Sequence, residues 1–151
     1  MPPSMNQTLS RIPEFIGHNI LLVAAFIVII LALIGLEVSR KFRGFRELTP
    51  AALVQMINRG EPLVVDLSAI ADFEKGHIAG SKNVTPSQFD PENKDLAKAK
   101  GLQIVTICKN GAESGKAASR LVKAGFTNVA TLAGGINAWK QADLPLAKGK
   151  R

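Results

Sequence analysis

The first third of the chain contains one long, uninterrupted apolar run. Residues 20–36 read ILLVAAFIVIILALIGL, with no charged residue and no proline, and Asn19 and Glu37 bound the run. A helix of this length spans about 26 Å, close to the roughly 30 Å of a bilayer's hydrocarbon core. Because no water reaches the backbone inside a bilayer, such a segment crosses it as a helix. The pattern predicts one transmembrane helix over residues 19–37.

Three other structures fit this run less well. A cleaved signal peptide has a basic start and a small-x-small exit, whereas the leader here carries Arg11 and Glu14 and the run ends in the sequence EVSR. A buried core helix of a soluble protein is usually amphipathic, and a re-entrant segment is usually shorter. A membrane span is therefore favoured.

Basic residues on the two sides of the run predict its orientation. Arg40, Lys41, Arg43 and Arg46 follow it, and only Arg11 precedes it. The positive-inside rule then places the amino terminus outside and the main domain in the cytoplasm, on a single-pass protein of the inner (cell) membrane. The basic cluster is either a solvated linker or a contact for anionic lipid headgroups. A cytoplasmic domain also suits a lone cysteine that is kept reduced.

Downstream of the run, helical and strand patterns alternate. Thr49 and Pro50 are typical of a helix N-cap followed by proline in the first turn. The predicted helices cover residues 51–58, 96–100, 114–124 and 136–142, and the predicted buried strands cover 62–66, 103–107 and 128–132. Such alternation favours a mostly parallel sheet with helices on both faces. Sheets of this kind place their sites at the carboxyl ends of the strands.

These patterns divide the chain of 151 residues into five segments. We expect a leader outside the cytoplasm (1–18), the transmembrane helix (19–37), a basic juxtamembrane linker (38–47), one α/β domain (48–146) and a basic tail (147–151). About a hundred residues are enough to bury one hydrophobic core.

Composition excludes several classes of function. The chain has 19 Lys+Arg against 12 Asp+Glu, but the excess lies in the clusters at 40–46 and 148–151, so a basic face interleaved with aromatics, as nucleic-acid binders have, is not indicated. One cysteine excludes a disulfide framework, and with two histidines a zinc cage is not expected.

The single cysteine stands where a strand gives way to a helix. Cys108 follows the strand 103–107 and precedes Lys-Asn-Gly-Ala-Glu-Ser and a helix. A loop of this kind can turn its N–H groups inward as an anion-binding nest, and the helix N-terminus adds positive potential. Gly111 allows the tight turn. Such a loop stabilises a thiolate, which can attack a sulfur donor and carry the sulfur as a persulfide.

Other roles for Cys108 remain open on spacing alone. A free cysteine is often a small buried hydrophobic residue. The spacing of the neighbouring residues alone favours this structural role and a catalytic role equally. A Walker-type phosphate loop is excluded because its glycine–lysine pattern does not occur. A protease-like pair with His77 has no local signature to support it.

Three sequence blocks together resemble one family. Residues 66–83 read DLSAIADFEKGHIAGSKN, the second block is Cys108 with its loop and Gly111, and residues 132–139 read LAGGINAW before Leu144 and Pro145. Over residues 48–146 the chain resembles a single rhodanese-like sulfurtransferase domain. Versions with one membrane span before the domain are familiar in bacteria.

The resemblance implies a fold and an activity. It implies an α/β domain with a mostly parallel five-stranded sheet and Cys108 as the catalytic, sulfur-carrying nucleophile. The active-site loop would then comprise Lys109, Asn110, Gly111, Ala112, Glu113 and Ser114, with the amides of residues 110–114 as donors to the persulfide. Family members commonly move sulfane sulfur from thiosulfate or a persulfide to a thiophilic acceptor, a protein or a small thiol. No metal or organic cofactor is needed.

The chain departs from the family pattern at two positions. Glu113 stands where the loop often has arginine, and should repel the thiosulfate dianion, unless Lys109 and Lys116 offset it. Ser68 replaces a family arginine near Asp66. A Cys-x5-Arg phosphatase is disfavoured, because Ser114 occupies the position of its arginine.

Four further features are assigned structural roles. His77 fixes a turn rather than acting as a base, Asp66 supports the backbone near the site, and Trp139 belongs to the core. Gly134 and Gly135 permit the turn from strand to helix.

Two functions therefore follow from the sequence. The favoured one is a membrane-anchored sulfurtransferase or persulfide carrier, whose partners are a sulfur donor, a thiol acceptor and membrane lipid, with no nucleic acid. The alternative is a non-catalytic rhodanese-like module that docks a membrane-protein partner.

Overall fold

A computed structural model of the protein describes residues 17–41, 43–60 and 62–150. The chain forms two compact units that divide between Arg43 and Gly44, within the predicted linker. Except for its last two residues, the predicted leader 1–18 lies outside the described residues.

The first unit contains helix α1, Ile20–Lys41. Its segment Ile20–Ser39 has a mean hydropathy of 3.0, which makes it long and apolar enough to cross a membrane. Apolar side chains are exposed all along it, with Leu21 84% exposed, so the described part of the chain buries no face of this helix. A signal sequence near the amino terminus shares this length and composition. The helix continues beyond residue 37 because residues 38–41 contain neither glycine nor proline.

The second unit alternates strands and helices. The strands are β1 (Arg46–Leu48), β2 (Leu63–Asp66), β3 (Lys82–Asn83), β4 (Ile104–Ile107) and β5 (Val129–Leu132). The helices are α2 (Pro50–Arg59), α3 (Ile70–Lys75), α4 (Lys94–Ala97), α5 (Ala112–Lys123) and α6 (Gly135–Gln141).

The five strands form one parallel sheet in the order β1-β5-β4-β2-β3. The predicted α/β fold with a five-stranded sheet is confirmed. Strand β4 lies at the centre, and its last residue, Ile107, pairs with Asp66 at the end of β2. The chain leaves β2 towards β3 and leaves β4 towards β5, in opposite directions, so the sheet's switch point lies between β2 and β4. Ligands of open parallel sheets bind outside the carboxyl ends of the strands at such a point.

A hydrophobic core covers each face of the sheet. On one face α5 contributes Ala117, Ala118 and Leu121, as its amphipathic pattern predicts. On the other face α2 contributes Leu53, and α6 contributes Ile136 and Trp139. The central strands are buried on both sides, which explains their continuous apolar sequences.

Several element boundaries differ from the sequence prediction. Helix α5 begins at Ala112, two residues before the predicted Ser114, so Glu113 belongs to the first turn of the helix. Helix α4 covers Lys94–Ala97 instead of 96–100. Strands β1 and β3 and helix α3 were not predicted individually. The predicted N-cap is present, since Thr49 Oγ1 accepts a hydrogen bond from the Ala52 N–H at 3.2 Å.

Candidate active site

Cys108 follows the central strand directly and lies at the carboxyl edge of the sheet. The residue is 3% exposed and packs in the core on the α5 side. Its position is determined by the buried strand β4 before it and by helix α5 after it. Burial is expected both for a small hydrophobic core residue and for a protected nucleophile. The polar groups around the sulfur therefore decide what the site can do.

Two main-chain N–H groups point at the sulfur. The Gly111 N–H donates to Cys108 Sγ at 3.0 Å, and the Ser114 N–H donates at 3.4 Å. The Ser114 hydroxyl oxygen lies 3.6 Å from Sγ. Donors fixed in the backbone stabilise negative charge on sulfur without having to reorient. Helix α5 starts here as well, so its dipole contributes in the same direction.

Only part of the predicted ring of amides points at the sulfur. Of the five amides expected over residues 110–114, those of Gly111 and Ser114 bond to Sγ. The Ala112 N–H donates instead to Asn110 Oδ1 at 3.1 Å. The Asn110 side chain therefore occupies the Ala112 N–H, which does not bond to the sulfur.

The loop depends on a left-handed turn at Gly111. This residue has φ 95° and precedes the first turn of α5. Side chains with a Cβ rarely adopt this conformation. The turn directs the Gly111 N–H back towards the sulfur, which agrees with the role expected for this glycine.

Ser114 is a buried structural element of the loop. It is 0% exposed, and its hydroxyl donates to the Gly111 carbonyl at 3.0 Å. Its own carbonyl accepts a bond from the Thr106 hydroxyl at 3.0 Å. A Cys-x5-Arg phosphatase has a cationic arginine at this position, whereas Ser114 is uncharged. The loop therefore lacks the positive charge that such a phosphatase uses.

The turn between β5 and α6 packs against the cysteine loop. The Ile136 N–H donates to the Cys108 carbonyl at 2.9 Å, and the Asn137 N–H donates to the Lys109 carbonyl at 3.1 Å. Gly134 and Gly135 have φ values of 70° and 61°. These glycines make the predicted turn, and the two residues that follow them bond to the start of the cysteine loop.

The charged residues of the loop are paired on the surface. Lys116 Nζ lies 2.8 Å from Glu113 Oε1, and this bond raises the pKa of the Lys116 ammonium. Lys109 Nζ lies 3.7 Å from Asp72 Oδ2. Lys116 therefore partly neutralises Glu113 from the solvent side, and Lys109 is drawn towards α3.

Asp66 supports the strand ends beside the cysteine. It is 0% exposed, and its Oδ1 accepts the Ser68 N–H at 2.8 Å. The Asn83 amide bonds to the carbonyls of Asp66 and Ser68 at 3.1 and 2.9 Å. Among the described residues, Asp66 Oδ2 is buried without a hydrogen-bond partner.

His77 and Trp139 lie in the packed interior. The His77 ring stacks on Phe73 at 3.8 Å between centroids, and Nδ1 bonds to the Phe73 carbonyl at 2.9 Å. The His77 main chain also pairs with Ala147. Trp139 Nε1 donates to the Pro145 carbonyl at 2.9 Å. These contacts agree with the structural roles assigned to both residues.

A depression that the sequence analysis missed adjoins the cysteine loop. It has a volume of about 250 Å³, and its polar lining comprises Ser68, Asp72, Lys75, Lys109, Asn137 and Lys140. We call it the lysine pocket. Its residues come from three separate stretches of the chain that only the fold brings together. Within the part of the chain that the structure describes, no cluster of three or more His, Cys, Asp or Glu is arranged to hold a metal ion.

Comparisons with known proteins agree with this fold. The model of the Rhodanese-like domain family matches residues 49–142. The thiosulfate sulfurtransferase GlpE of Shewanella oneidensis is 33% identical over 104 residues, which cover 66% of this chain and 96% of GlpE. The uncharacterized Escherichia coli protein YibN is 32% identical over 143 residues, which cover 94% of this chain and 100% of YibN. A crystal structure of a rhodanese-related protein from Thermoplasma volcanium covers 68% of this chain and 98% of its own at 25% identity, with a TM-score of 0.59.

The fold and the site together define an α/β domain with an all-parallel sheet and one cysteine at the end of the central strand. The chain belongs to the rhodanese-like domain family.

Proposed function

We propose that the protein is a sulfurtransferase or persulfide carrier that moves sulfane sulfur through a persulfide on Cys108. The observation that carries the proposal is the pair of N–H groups, from Gly111 and Ser114, directed at Cys108 Sγ. The similarity to GlpE, a thiosulfate sulfurtransferase, supports the same reaction class.

The reaction consists of two displacements at sulfur. In the first, the Cys108 thiolate attacks the sulfane sulfur of the donor, so that a Cys108–sulfur bond forms and the donor's bond to that sulfur breaks. The donor's electron pair leaves with sulfite, if the donor is thiosulfate, or with a thiolate, if the donor is a persulfide. In the second, an acceptor thiolate attacks the terminal sulfur and Cys108 leaves as thiolate. The two N–H groups stabilise the Cys108 thiolate before the first displacement and after the second.

Glu113 influences the choice of donor. Glu113 lies in the first turn of α5, next to Ser114, whose N–H bonds to the sulfur. Thiosulfate carries two negative charges and would approach against this carboxylate, which Lys116 only partly neutralises. A persulfide donor carries less charge at the reacting end, so we favour a persulfide over thiosulfate as the donor.

Sulfur transfer by the full chain tests this proposal. The chain, purified in detergent micelles, is incubated with ³⁵S-labelled thiosulfate or cysteine persulfide and then with a thiol acceptor. We expect labelled acceptor with the persulfide donor, less with thiosulfate, and none with Cys108→Ser. Transfer by Cys108→Ser at the rate of the native chain would refute the proposal.

We further propose that α1 anchors the domain to the inner membrane, with the domain in the cytoplasm. The alignment with YibN covers 94% of this chain and so includes α1 as well as the domain. The orientation rests on the basic residues that follow the apolar run. A reporter enzyme that works only in the cytoplasm, fused after residue 151, should be active, and should stay attached to membranes after alkaline washing. An inactive reporter would refute the orientation, and release from the membrane would refute the anchor.

A non-catalytic docking module for a membrane protein is the second candidate. It is favoured by the low exposure of Cys108 and its place in the core. The two candidates differ in the cell: if Cys108→Ser retains full function there, and no donor loads the native chain, the docking module is supported.

A further inference from the structure

We propose that Asn110 controls sulfur loading of Cys108, because its side chain holds the Ala112 N–H that the terminal sulfur of a persulfide would use. This role presupposes a persulfide on Cys108, so it rests on the proposed function and adds a residue that regulates the same site. Three observations support it: one amide of the loop is occupied, the atom that occupies it also contacts the sulfur, and the residue that supplies this atom is exposed.

One oxygen atom contacts both the sulfur and a third amide of the loop. Asn110 Oδ1 accepts the Ala112 N–H at 3.1 Å and lies 3.8 Å from Cys108 Sγ. Because the Ala112 N–H is a donor, the oxygen and not the nitrogen of the Asn110 side chain faces it. In the chain, Ala112 lies between Gly111 and Ser114, whose N–H groups both bond to the sulfur. Asn110 therefore withholds one donor of this segment from the sulfur.

A sulfur-loaded cysteine needs more hydrogen-bond donors than a thiol does. The persulfide extends about 2 Å beyond Cys108 Sγ, and when it is ionised its charge lies on the terminal sulfur. Fixed main-chain N–H groups stabilise such a charge without having to reorient. The Gly111 and Ser114 N–H groups already bond to Sγ. The Ala112 N–H is therefore the next donor of this loop for the terminal sulfur.

The oxygen of the Asn110 side chain opposes an anionic sulfur. An amide oxygen accepts hydrogen bonds and donates none, so Oδ1 can accept the S–H of the neutral Cys108 thiol but repels a thiolate or an ionised persulfide. The Ala112 N–H has the opposite preference, because a hydrogen bond to an anion is stronger than one to a neutral amide oxygen. Loading therefore favours a state in which the Asn110 side chain has turned away and the Ala112 N–H donates to the terminal sulfur.

Asn110 has the exposure that such a movement requires. The residue is exposed, whereas Cys108 is 3% exposed. Rotamers of exposed side chains interchange within picoseconds to nanoseconds, and water satisfies the released side-chain amide. The covalent step itself is unchanged: the Cys108 thiolate attacks the sulfane sulfur of cysteine persulfide, and cysteine leaves as a thiolate.

The same hydrogen bond also stabilises the start of α5. The N-cap residue of this helix, Gly111, makes no side-chain capping bond, so Asn110 Oδ1 satisfies the N–H of the first helical residue, Ala112. If Asn110 had a structural role alone, its removal would lower the stability and would not speed loading. Control of loading predicts opposite signs, because removal of the oxygen lowers the stability and speeds loading.

Single-turnover loading of the full chain in detergent micelles tests this role. Cysteine persulfide is the donor, and the gain of sulfur is followed by intact mass after quenching with iodoacetamide. We expect the rate constant to rise about threefold in Asn110→Ala, which removes the oxygen. It should fall about tenfold in Asn110→Asp, which keeps the acceptor and adds a negative charge. The matched controls, Asn128→Ala and Asn128→Asp, change an exposed asparagine before β5, at the opposite edge of the sheet, and should leave the rate constant unchanged.

Two further measurements separate control of loading from a structural role. Urea denaturation should give a lower midpoint for Asn110→Ala than for Asn128→Ala, since only the first variant loses the bond at the start of α5. In NMR spectra of the ¹⁵N-labelled native chain, loading should shift the signals of the Ala112 amide and of the Asn110 side-chain amide together.

The possible results distinguish this role from the proposed function. Absence of loading in the native chain and in every variant would refute the proposed function and, with it, the role of Asn110. Loading of the native chain, with an equal or lower rate constant in Asn110→Ala, would overturn the role of Asn110 alone. An Asn110 side-chain signal that loading leaves unchanged would overturn it as well. Loading of Asn110→Ala by a donor that fails to load the native chain would support both proposals.

Discussion

Gly135 lies directly against the main chain of Cys108. A Cβ added at Gly135 would overlap the Cys108 carbonyl oxygen and would lie 2.8 Å from the Lys109 carbonyl carbon. The neighbouring Ile136 N–H bonds to that same Cys108 carbonyl at 2.9 Å. The second glycine of the Gly134–Gly135 pair therefore allows α6 to support the first residue of the cysteine loop, in addition to making its own turn.

Gly135→Ala should lower the stability of the domain and displace the cysteine loop. Positive φ and a clash with backbone atoms act together, so we expect a loss of about 2–4 kcal/mol in the free energy of unfolding. Urea denaturation of the full chain in micelles, followed by the fluorescence of Trp139, measures this loss. The control is Gly115→Ala in α5, where a Cβ meets nothing within 4 Å, and where alanine should stabilise the helix by about 0.5–1 kcal/mol. Equal stability of the two variants would contradict the packing described here.

Glu113→Arg should improve thiosulfate as a donor. The change replaces a repelling charge near the sulfur by an attracting one, and we expect kcat/KM for thiosulfate to rise roughly tenfold at low ionic strength. Glu113→Gln removes the charge without reversing it. It should lower the activation free energy for thiosulfate by about half as much as Glu113→Arg. The comparison substrate is cysteine persulfide, for which the change should be small. A fall in thiosulfate turnover in both variants would show that the Glu113 carboxylate does not set donor preference.

The ion pair between Lys116 and Glu113 should be detectable as a raised pKa of the Lys116 ammonium. The hydrogen bond to Glu113, followed by its charge, raises the pKa of Lys116 above the ordinary value of 10.5. A raised pKa means that the pair's small contribution to stability is fully present below pH 10.5 and is lost as the pH rises through the raised pKa. NMR titration of the lysine side chains should show this shift in the native chain and its loss in Glu113→Gln. An unshifted Lys116 in the native chain would mean that the pair is broken in solution.

The main elements of the fold were predictable because their signals are local. The apolar strands β2, β4 and β5 are buried on both faces, and the Thr49–Pro50 cap marks a helix start. Strands β1 and β3 were not predicted, because two or three largely polar residues show no periodicity. They become strands only through their hydrogen bonds to β5 and β2. Helix α3 has six residues and no side-chain N-cap bond, so its local signal is weak.

The candidate site was predictable to the extent that it lies in one loop. Cys108, Gly111 and Ser114 are close in sequence, so strand, turn and helix signals place them together. The lysine pocket was not predictable, because Lys75, Lys109 and Lys140 follow three different strands, β2, β4 and β5. Each of them has the sequence context of a solvated lysine. Sequence also did not show that Asn110 would occupy the Ala112 amide, since that bond depends on the turn of the folded loop.

The intact mass of the full chain after incubation with cysteine persulfide tests the central claim most directly. We expect a gain of one sulfur atom that is reversed by a thiol, that maps to the peptide containing Cys108, and that is absent in Cys108→Ser. An unchanged mass of the native chain with both cysteine persulfide and thiosulfate, while the folded chain still alkylates at Cys108, would contradict it.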